Sequence, residues 1–229
     1  MTLASRFELS RPELYGKDGR IELLGEPAPA SAEHLIISCM DLRVSLHALF
    51  GFQPGEMLNL RSAGAIIPPF KDSCTETQIL HENLQLAIAD MHIKTISILG
   101  HTKCGTAKKL SQNLYCSGDI PWMKKISERI LQSAIMEADQ GNQEEITRAI
   151  EKNIIIQSIK NLFDYPIIEK SIRNGELTVE GLQFDVKTGR LFKLNTDGRS
   201  FSFDIVAGPL QGSLECDCED HKQAISAQA

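Results

Sequence analysis

The stretch Thr95-Ile-Ser-Ile-Leu-Gly-His-Thr-Lys-Cys-Gly105 decides the fold of this chain of 229 residues. Its first five residues are nearly all apolar or β-branched, which predicts a short strand buried on both faces. The run His34-Leu-Ile-Ile-Ser38 has the same character, and Met57-Leu-Asn-Leu-Arg61 predicts a further strand by its alternation. Short apolar strands of this kind are typical of parallel sheets that helices cover.

Segments with helical spacing of their apolar residues separate these strands and follow them. They are residues 44–50, 75–91, 106–110, 122–138 and 143–162. Residues 177–186 and 190–194 alternate in hydrophobicity around Lys187-Thr-Gly189, which predicts a hairpin. Strands that alternate with helices indicate an α/β fold, with a mostly parallel β-sheet flanked by α-helices. The functional site of such a sheet lies beyond the carboxyl ends of its strands.

The chain divides into three predicted parts. Residues 1–33 form an arm, because proline and glycine interrupt any long element there. Residues 34–207 form one α/β domain that carries the chemistry, and this length is usual for a single domain. Residues 208–229 form a polar tail rich in small residues.

Composition argues against several classes of function. The net charge of −6 and the isoelectric point near 5.6 do not provide the basic surface that nucleic-acid binding needs. No apolar run approaches the roughly 18 residues that span a bilayer, and the first residues lack the apolar stretch of a secretory signal. We therefore expect a cytoplasmic protein with neither a nucleic-acid nor a membrane partner. Its six cysteines are then thiols, which favours metal binding or catalysis over disulfides.

Two of these cysteines and one histidine directly follow predicted strands. Cys39 comes after the first strand, and His101 and Cys104 come after the strand at residues 95–99. Neighbouring parallel strands bring such residues together at one edge of a sheet. Two thiolates and one imidazole are a typical zinc set, and three protein ligands leave a fourth position for chemistry. Gly105 is expected to permit the tight turn at Cys104.

A carboxylate and a guanidinium follow the first of these cysteines. On an extended chain Asp41 points to the same side as Cys39, and Arg43 lies two residues further along. A carboxylate beside zinc either ligates the metal or accepts a hydrogen bond from bound water, and an arginine can hold it off the metal. Because zinc lowers the pKa of bound water to roughly 7, this pair is a candidate device for activating water.

The remaining cysteines are expected to be bystanders, since a lone cysteine usually behaves as a small hydrophobic residue. Cys74 and Cys116 each stand alone in the sequence. Cys216 and Cys218, together with His221, have the chemistry of metal ligands. Their acidic neighbours and the expected mobility of the tail favour an incidental motif over a site.

These motifs resemble those of the β-class carbonic anhydrases. The resemblance rests on Cys39-x-Asp41-x-Arg43 and on Gly100-His101-x-x-Cys104-Gly105, and it extends over roughly residues 34–194. Further matches are Phe52-Gln-Pro-Gly-Glu56, Leu60-Arg61-Ser-Ala-Gly64 and Glu180-Gly-Leu-Gln-Phe-Asp-Val-Lys-Thr-Gly-Arg-Leu191. The two metal-binding motifs, taken together, are the specific part of the resemblance.

The resemblance implies a zinc enzyme that reversibly hydrates carbon dioxide to bicarbonate by means of a zinc-bound hydroxide. It implies that Cys39, His101 and Cys104 are the Zn²⁺ ligands. It also implies that Asp41 and Arg43 form a catalytic dyad, and that Asp41 becomes the fourth zinc ligand in a closed, inactive state.

The family's fold further implies that residues 1–33 form a helical arm that packs on a partner subunit. Since the family's active site lies close to a dimer interface, we expect a homo-oligomer, either a dimer or a tetramer. The substrate pocket is expected to include Val44, Leu58, Leu86 and Gly105.

Several positions depart from the family's pattern. Leu42 stands where serine is usual, and Thr106 stands where a second glycine is usual. Leu58 and Leu86 align with a phenylalanine and a tyrosine of plant-like members, and residues 28–32 contain no glutamine. The zinc and dyad residues are therefore kept, while groups that orient carbon dioxide are replaced by apolar ones.

A regulatory site found in some bacterial members is also incomplete. Those members bind regulatory bicarbonate at a Trp–Arg–Tyr set. The aligned residues here are Ile36, Arg61 and Phe184, so the arginine alone is kept. This form of regulation is therefore not expected.

Two alternative functions stay open. Leu42, Leu58 and Leu86 suit a softer, less polar substrate, so one alternative is a hydrolase of carbonyl sulfide or carbon disulfide on the same fold. The other is a zinc-stabilised, non-catalytic homologue in which Asp41 stays on zinc at every pH. The retained Arg43 argues against the second alternative, because a purely structural site has no need of it.

Overall fold

The computed structural model describes residues 2–6, 32–52, 55–70, 75–112, 121–138, 142–196 and 201–207. Most of the predicted arm and all of the predicted tail lie outside these residues, so both boundaries stay predictions. The same holds for the expected bystanders Cys74, Cys116, Cys216 and Cys218, and for His221.

Strands and helices alternate along the described part of the chain. The strands are β1 (His34–Cys39), β2 (Met57–Ser62), β3 (Thr95–His101), β4 (Thr178–Phe184), β5 (Leu191–Thr196) and β6 (Phe201–Ala207). The helices are α1 (Leu46–Phe50), α2 (Thr75–Gln85), α3 (Gly105–Ser111), α4 (Pro121–Glu137), α5 (Gln143–Leu162) and α6 (Pro166–Arg173). A 3-10 turn at Ala63–Ala65 follows β2, and a π-helical turn at Leu86–Asp90 follows α2. Among the described residues, no helix is long and apolar enough to cross a membrane.

The six strands form one sheet in the order β2-β1-β3-β4-β5-β6. The first four strands in this order run parallel, and β5 and β6 continue the sheet in antiparallel pairing. This arrangement confirms the predicted mostly parallel sheet flanked by helices, and the β4–β5 pair confirms the predicted hairpin. Helix α6 and strand β6 are additions that the sequence patterns do not predict.

The position of each strand explains its sequence pattern. In β1 and β3, which lie inside the sheet, every residue after the first is buried, as the continuous apolar runs predict. Strand β2 lies at an edge, and its exposure alternates in its second half. The central strands therefore form the core, and their carboxyl ends meet at one edge of the sheet.

Helix α5 packs unusually close to the central strands. Ile155 of this helix is completely buried against β3 and β4. A Cβ atom at Gly100 would lie 2.7 Å from Ile155 Cγ1, so the absence of a side chain there permits the approach. Since Glu151 lies about one turn before Ile155, the same packing brings Glu151 to the carboxyl end of β3.

The turn between β4 and β5 is tied to the end of β3 by one carboxylate. Asp185 accepts hydrogen bonds from Thr102 Oγ1 at 2.9 Å, from Lys187 N at 2.9 Å and from Thr188 Oγ1 at 2.7 Å. Partial burial raises the pKa of Asp185, but these donors outweigh it and the net pKa is lowered. The charged form of Asp185 therefore stabilises the fold.

We expect Asp185→Asn to lower the free energy of unfolding at neutral pH. Because the pKa of Asp185 is depressed in the folded state, its stabilisation is present above the ordinary value of 3.8 and is lost as the pH falls below it. Urea unfolding of both proteins at a series of pH values measures this directly. A difference between the two proteins that persists unchanged well below pH 3.8 would contradict the role of the charge.

Candidate metal centre

Three buried side chains converge where β1 and β3 end. Cys39 is the last residue of β1, His101 is the last residue of β3, and Cys104 caps the N-terminus of α3. The two sulfur atoms lie 4.0 Å apart, and one ligand atom from each of the three residues lies within 4.8 Å of the others. This confirms the prediction that parallel pairing brings the three residues together. Among the residues that the structure describes, no other group of three or more His, Cys, Asp or Glu side chains is placed to hold a metal ion.

The imidazole of His101 is oriented for coordination. Its Nδ1 lies 2.9 Å from the carbonyl oxygen of Thr102, so Nδ1 carries the proton and donates it to that oxygen. Its Nε2 is buried and has no hydrogen-bond partner. A buried nitrogen without a partner is costly unless something binds its lone pair. Facing two sulfur atoms, this nitrogen completes a donor set that fits zinc.

The sulfur atoms of the two cysteines lie within hydrogen-bond distance of each other. A hydrogen bond from the Cys104 thiol lowers the pKa of Cys39 to about 4, although burial opposes the shift. The same hydrogen bond and burial raise the pKa of Cys104. One thiolate is therefore formed readily, and a cation that replaces the proton of the Cys104 thiol would stabilise both sulfur atoms as thiolates.

Asp41 lies beside this group but is held by Arg43. The guanidinium donates from Nε to Asp41 Oδ1 at 2.8 Å and from Nη2 to Oδ2 at 2.7 Å, and the backbone N–H of Arg43 also donates to Oδ1 at 3.0 Å. These bonds hold the pKa of Asp41 well below its usual range and raise the pKa of Arg43. Asp41 Oδ2 is 3.9 Å from His101 Nε2, so the carboxylate is charged, fixed and adjacent to the candidate metal position.

The turn that carries Cys104 differs from the prediction. Gly105 was expected to permit the turn, but it begins helix α3, and the positive φ of +56° belongs to Lys103. The physical reason lies in the hydrogen bond that the Lys103 carbonyl oxygen accepts from Arg43 Nη2 at 2.9 Å. This hydrogen bond stabilises a left-handed backbone conformation that a residue with a side chain rarely adopts.

The family model for carbonic anhydrase matches residues 34–191 of the chain. The chain belongs to the β-carbonic anhydrase family. Carbonic anhydrase of Helicobacter pylori (strain J99) is 26% identical over 176 residues, which cover 73% of this chain and 78% of that protein. Beta carbonic anhydrase 5, chloroplastic, of Arabidopsis thaliana is 28% identical over 152 residues, which cover 64% of this chain and 49% of that protein.

Solved structures of β-carbonic anhydrases have the same fold. The β-carbonic anhydrase CcaA superposes with a TM-score of 0.68 at 19% identity, over 91% of this chain and 90% of that chain. One of two tetrameric β-carbonic anhydrases from Sordaria macrospora superposes with a TM-score of 0.63 at 24% identity, over 85% of this chain and 95% of that chain. These neighbours agree with the mostly parallel sheet.

In this β-carbonic anhydrase homologue, Arg61 holds the loop that carries the dyad. Its Nη2 donates to the carbonyl oxygens of Cys39 at 2.9 Å, Asp41 at 2.8 Å and Val44 at 2.9 Å. Sequence reasoning considered Arg61 only as a remnant of a regulatory site. Its donors bind the protein's own carbonyl groups, so it fixes the backbone between Cys39 and the Asp41–Arg43 pair.

Glu151 is a second residue that sequence reasoning missed. It is 4% exposed on α5, and its Oε1 accepts a hydrogen bond from Cys104 N at 3.0 Å. Burial raises the pKa of Glu151 to about 7, against the opposing effect of that backbone N–H. The signal in the sequence is a single acid between buried isoleucines of a helix, at Ile150 and Ile154.

The residues predicted to form the substrate pocket do not meet within one protomer. Val44 is completely buried in the core. At Gly105, the first residue of α3, an added Cβ atom would have no other atom within 4 Å. Leu58 and Leu86 line a separate cavity of about 140 Å³, which none of the predicted metal and dyad residues borders. Leu42 is 98% exposed. Contact of these residues with a substrate stays a prediction.

The threonine that replaces a family glycine is accommodated by a second glycine. Thr106 packs against Gly64, where an added Cβ would lie 2.9 Å from Thr106 Cγ2. Gly64 also has a φ of +70°, which favours glycine. The larger residue at position 106 therefore leaves the start of α3 undisturbed.

We expect the protein to bind one zinc ion per chain and to lose it when either thiol is removed. Cys39→Ser and Cys104→Ser should each abolish tight binding, because an alcohol does not ionise to replace the thiolate. Cys116→Ser, at a predicted bystander, is the matched control and should keep the zinc. Zinc content after gel filtration, measured by mass spectrometry, checks this. Full zinc content in either ligand variant would contradict the assignment.

Proposed function

We propose that this protein catalyses the reversible hydration of carbon dioxide to bicarbonate, with zinc held by Cys39, His101 and Cys104. The observation that carries the proposal is the position of Asp41, which lies next to the unpartnered His101 Nε2 and is bound to Arg43. Membership of the β-carbonic anhydrase family supports the same conclusion. A structural zinc site would have no use for this charged pair.

Zinc held by Cys39, His101 and Cys104 would act as a Lewis acid and would lower the pKa of water to roughly 7. Two thiolates and one neutral imidazole provide three ligands and leave a fourth position free. Donation from His101 Nδ1 to Thr102 O keeps the ring in the tautomer whose Nε2 can bind the cation.

Asp41 orients the reacting water and does not take its proton at neutral pH. Its pKa lies far below neutrality because Arg43 neutralises its charge, so it remains a hydrogen-bond acceptor throughout. Oδ1 accepts two hydrogen bonds from Arg43, whereas Oδ2 accepts one and keeps a lone pair for a further donor. A fixed acceptor beside the metal position lowers the entropic cost of aligning water with carbon dioxide.

We further propose that the protein works as a homo-oligomer, a dimer or a tetramer. The relatives solved from Sordaria macrospora are tetrameric, and several apolar side chains are exposed in a single protomer, among them Met40 and Leu42 next to Asp41 and Leu86 at a separate cavity. A partner subunit would bring Leu58 and Leu86 towards the metal and would receive the arm formed by residues 1–33. A cytoplasmic location is part of the same proposal.

The sulfur analogues carbonyl sulfide and carbon disulfide remain a second candidate substrate class. Two observations favour them: the cavity at Leu58 and Leu86 has a mainly apolar lining, and Leu42 adds an exposed apolar side chain close to the dyad. Release of hydrogen sulfide from carbonyl sulfide, measured beside carbon dioxide hydration, distinguishes the two. A non-catalytic role is disfavoured because a purely structural zinc site has no need of the Arg43 guanidinium that binds Asp41.

The zinc-loaded protein should hydrate carbon dioxide in a stopped-flow pH-indicator assay, and Asp41→Asn should lower kcat about 100-fold. The amide keeps the shape of the side chain but loses the charge that pairs with Arg43. Asp90→Asn, at an exposed aspartate, is the matched control and should retain the wild-type rate. Zinc-loaded protein that is no faster than metal-free protein would overturn the proposed activity.

A further inference from the structure

We infer that Glu151 is a positioning residue for the Asp41–Arg43 dyad, acting through the turn whose carbonyl group anchors Arg43. This inference rests on the proposed function, because it assigns a role in that reaction to a residue of α5. The link runs from Glu151 through the backbone of Lys103 and Cys104 to the guanidinium.

Glu151 occupies a position where packing alone does not explain a carboxylate. Its neighbours on the helix, Ile150 and Ile154, are buried hydrophobic residues, and Glu151 itself is 4% exposed. A buried carboxylate is unfavourable unless its oxygens accept hydrogen bonds. Its Oε1 accepts from Cys104 N at 3.0 Å, so the contact with the turn offsets part of the cost of its burial.

The turn needs such a contact because Lys103 has an unfavourable backbone conformation. Its φ of +56° lies in the left-handed region, which side-chain-bearing residues rarely occupy without support from their surroundings. Two contacts provide that support. The N–H of the next residue, Cys104, is held by Glu151, and the carbonyl oxygen of Lys103 is held by Arg43.

The carbonyl group of Lys103 in turn fixes the dyad. Arg43 Nη2 donates one hydrogen to Asp41 Oδ2 at 2.7 Å and the other to Lys103 O at 2.9 Å, so both of its hydrogens are used. The Arg43 side chain is 48% exposed, so few packing contacts restrict it. Without the carbonyl acceptor, the guanidinium and the Asp41 carboxylate bound to it can both rotate.

The role therefore depends on the reach of an acceptor oxygen and not on charge. Glu151→Gln keeps an oxygen at the same distance from Cys104 N and removes the charge. Glu151→Asp keeps the carboxylate but shortens the side chain by one methylene group, which moves the acceptor oxygen away from Cys104 N. Glu144→Asp, at an exposed position of the same helix, is the matched control for shortening a glutamate.

The test compares the three variants with the wild-type protein after zinc loading. Zinc content and thermal unfolding show which variants are folded and loaded. Carbon dioxide hydration between pH 6 and 9 gives kcat and KM separately. Crystal structures give the Arg43 Nη2–Lys103 O distance, which is a readout independent of turnover.

Glu151→Asp is expected to lower kcat by about tenfold or more, with KM little changed, because the dyad is misplaced while substrate access is unaltered. Its pH profile of kcat/KM should move to higher pH, since a carboxylate freed from Arg43 competes for the metal position. Glu151→Gln should keep most of kcat and the wild-type pH profile, and Glu144→Asp should behave as wild type. In the crystal structure of Glu151→Asp, Arg43 should no longer reach Lys103 O.

The inference is overturned if Glu151→Asp keeps the wild-type kcat and pH profile, or if Glu151→Gln loses as much activity as Glu151→Asp. If Glu151→Asp does not fold, the zinc-loaded wild-type crystal structure decides. There, a negative φ at Lys103 or an Arg43 that does not contact Lys103 O overturns it. If the wild-type protein does not hydrate carbon dioxide, the proposed function is wrong but the positioning role is not thereby overturned. Loss of the Arg43–Lys103 contact in the crystal structure of Glu151→Asp would still support that role.

Discussion

Parallel pairing of β1 with β3 places Ser38 level with Leu99, so the carboxyl ends of two buried strands meet at one edge of the sheet. Every feature of the candidate site depends on this register. A shift by one residue would reverse the direction of each side chain along a strand and would separate Cys39 from His101. The packing of α5 where Gly100 has no side chain ties this register to the helix that covers β3.

Residues that are not part of the candidate site hold the loops at the strand ends in place. Three groups that are neither metal ligands nor dyad residues bind its backbone or orient its ligands. Arg61 on the edge strand binds carbonyl groups of the loop after β1, Glu151 on α5 binds the N–H of Cys104, and Thr102 O accepts from His101. An edge strand and a helix thus hold the two loops of the centre, where a charged pair lies beside three buried side chains.

Local patterns in the sequence predicted the features that depend on single strands and their ends. Continuous apolar runs predicted β1 and β3, and the residues that follow them predicted the group of Cys39, His101 and Cys104. The Cys-x-Asp-x-Arg motif likewise predicted that Asp41 and Arg43 would pair, although they pair across a turn closed by Val44 N and Asp41 O and not along an extended chain.

Features set by contacts between distant segments were not predictable in this way. The left-handed turn was assigned to Gly105 because glycine is the usual residue there, whereas contacts with Arg43 and Glu151 place it at Lys103. Glu151 carries no local signal beyond being an acid among isoleucines.

The predicted substrate pocket also depends on more than a local pattern. Leu58 and Leu86 were grouped with the metal residues by analogy with a family, and a single protomer places them at a separate cavity. Contact between these side chains and a substrate stays a prediction. The helix α6 was missed for a different reason: it is a short helix of eight residues that begins at Pro166.

The most direct test of the proposed centre is the zinc coordination in a crystal structure of the zinc-loaded protein at alkaline pH. We predict one zinc ion bound by Cys39 Sγ, Cys104 Sγ and His101 Nε2, with the fourth position occupied by solvent and Asp41 still paired with Arg43. A zinc ion whose fourth ligand is Asp41 at that pH, or zinc bound elsewhere with these three residues free, would contradict the open catalytic site.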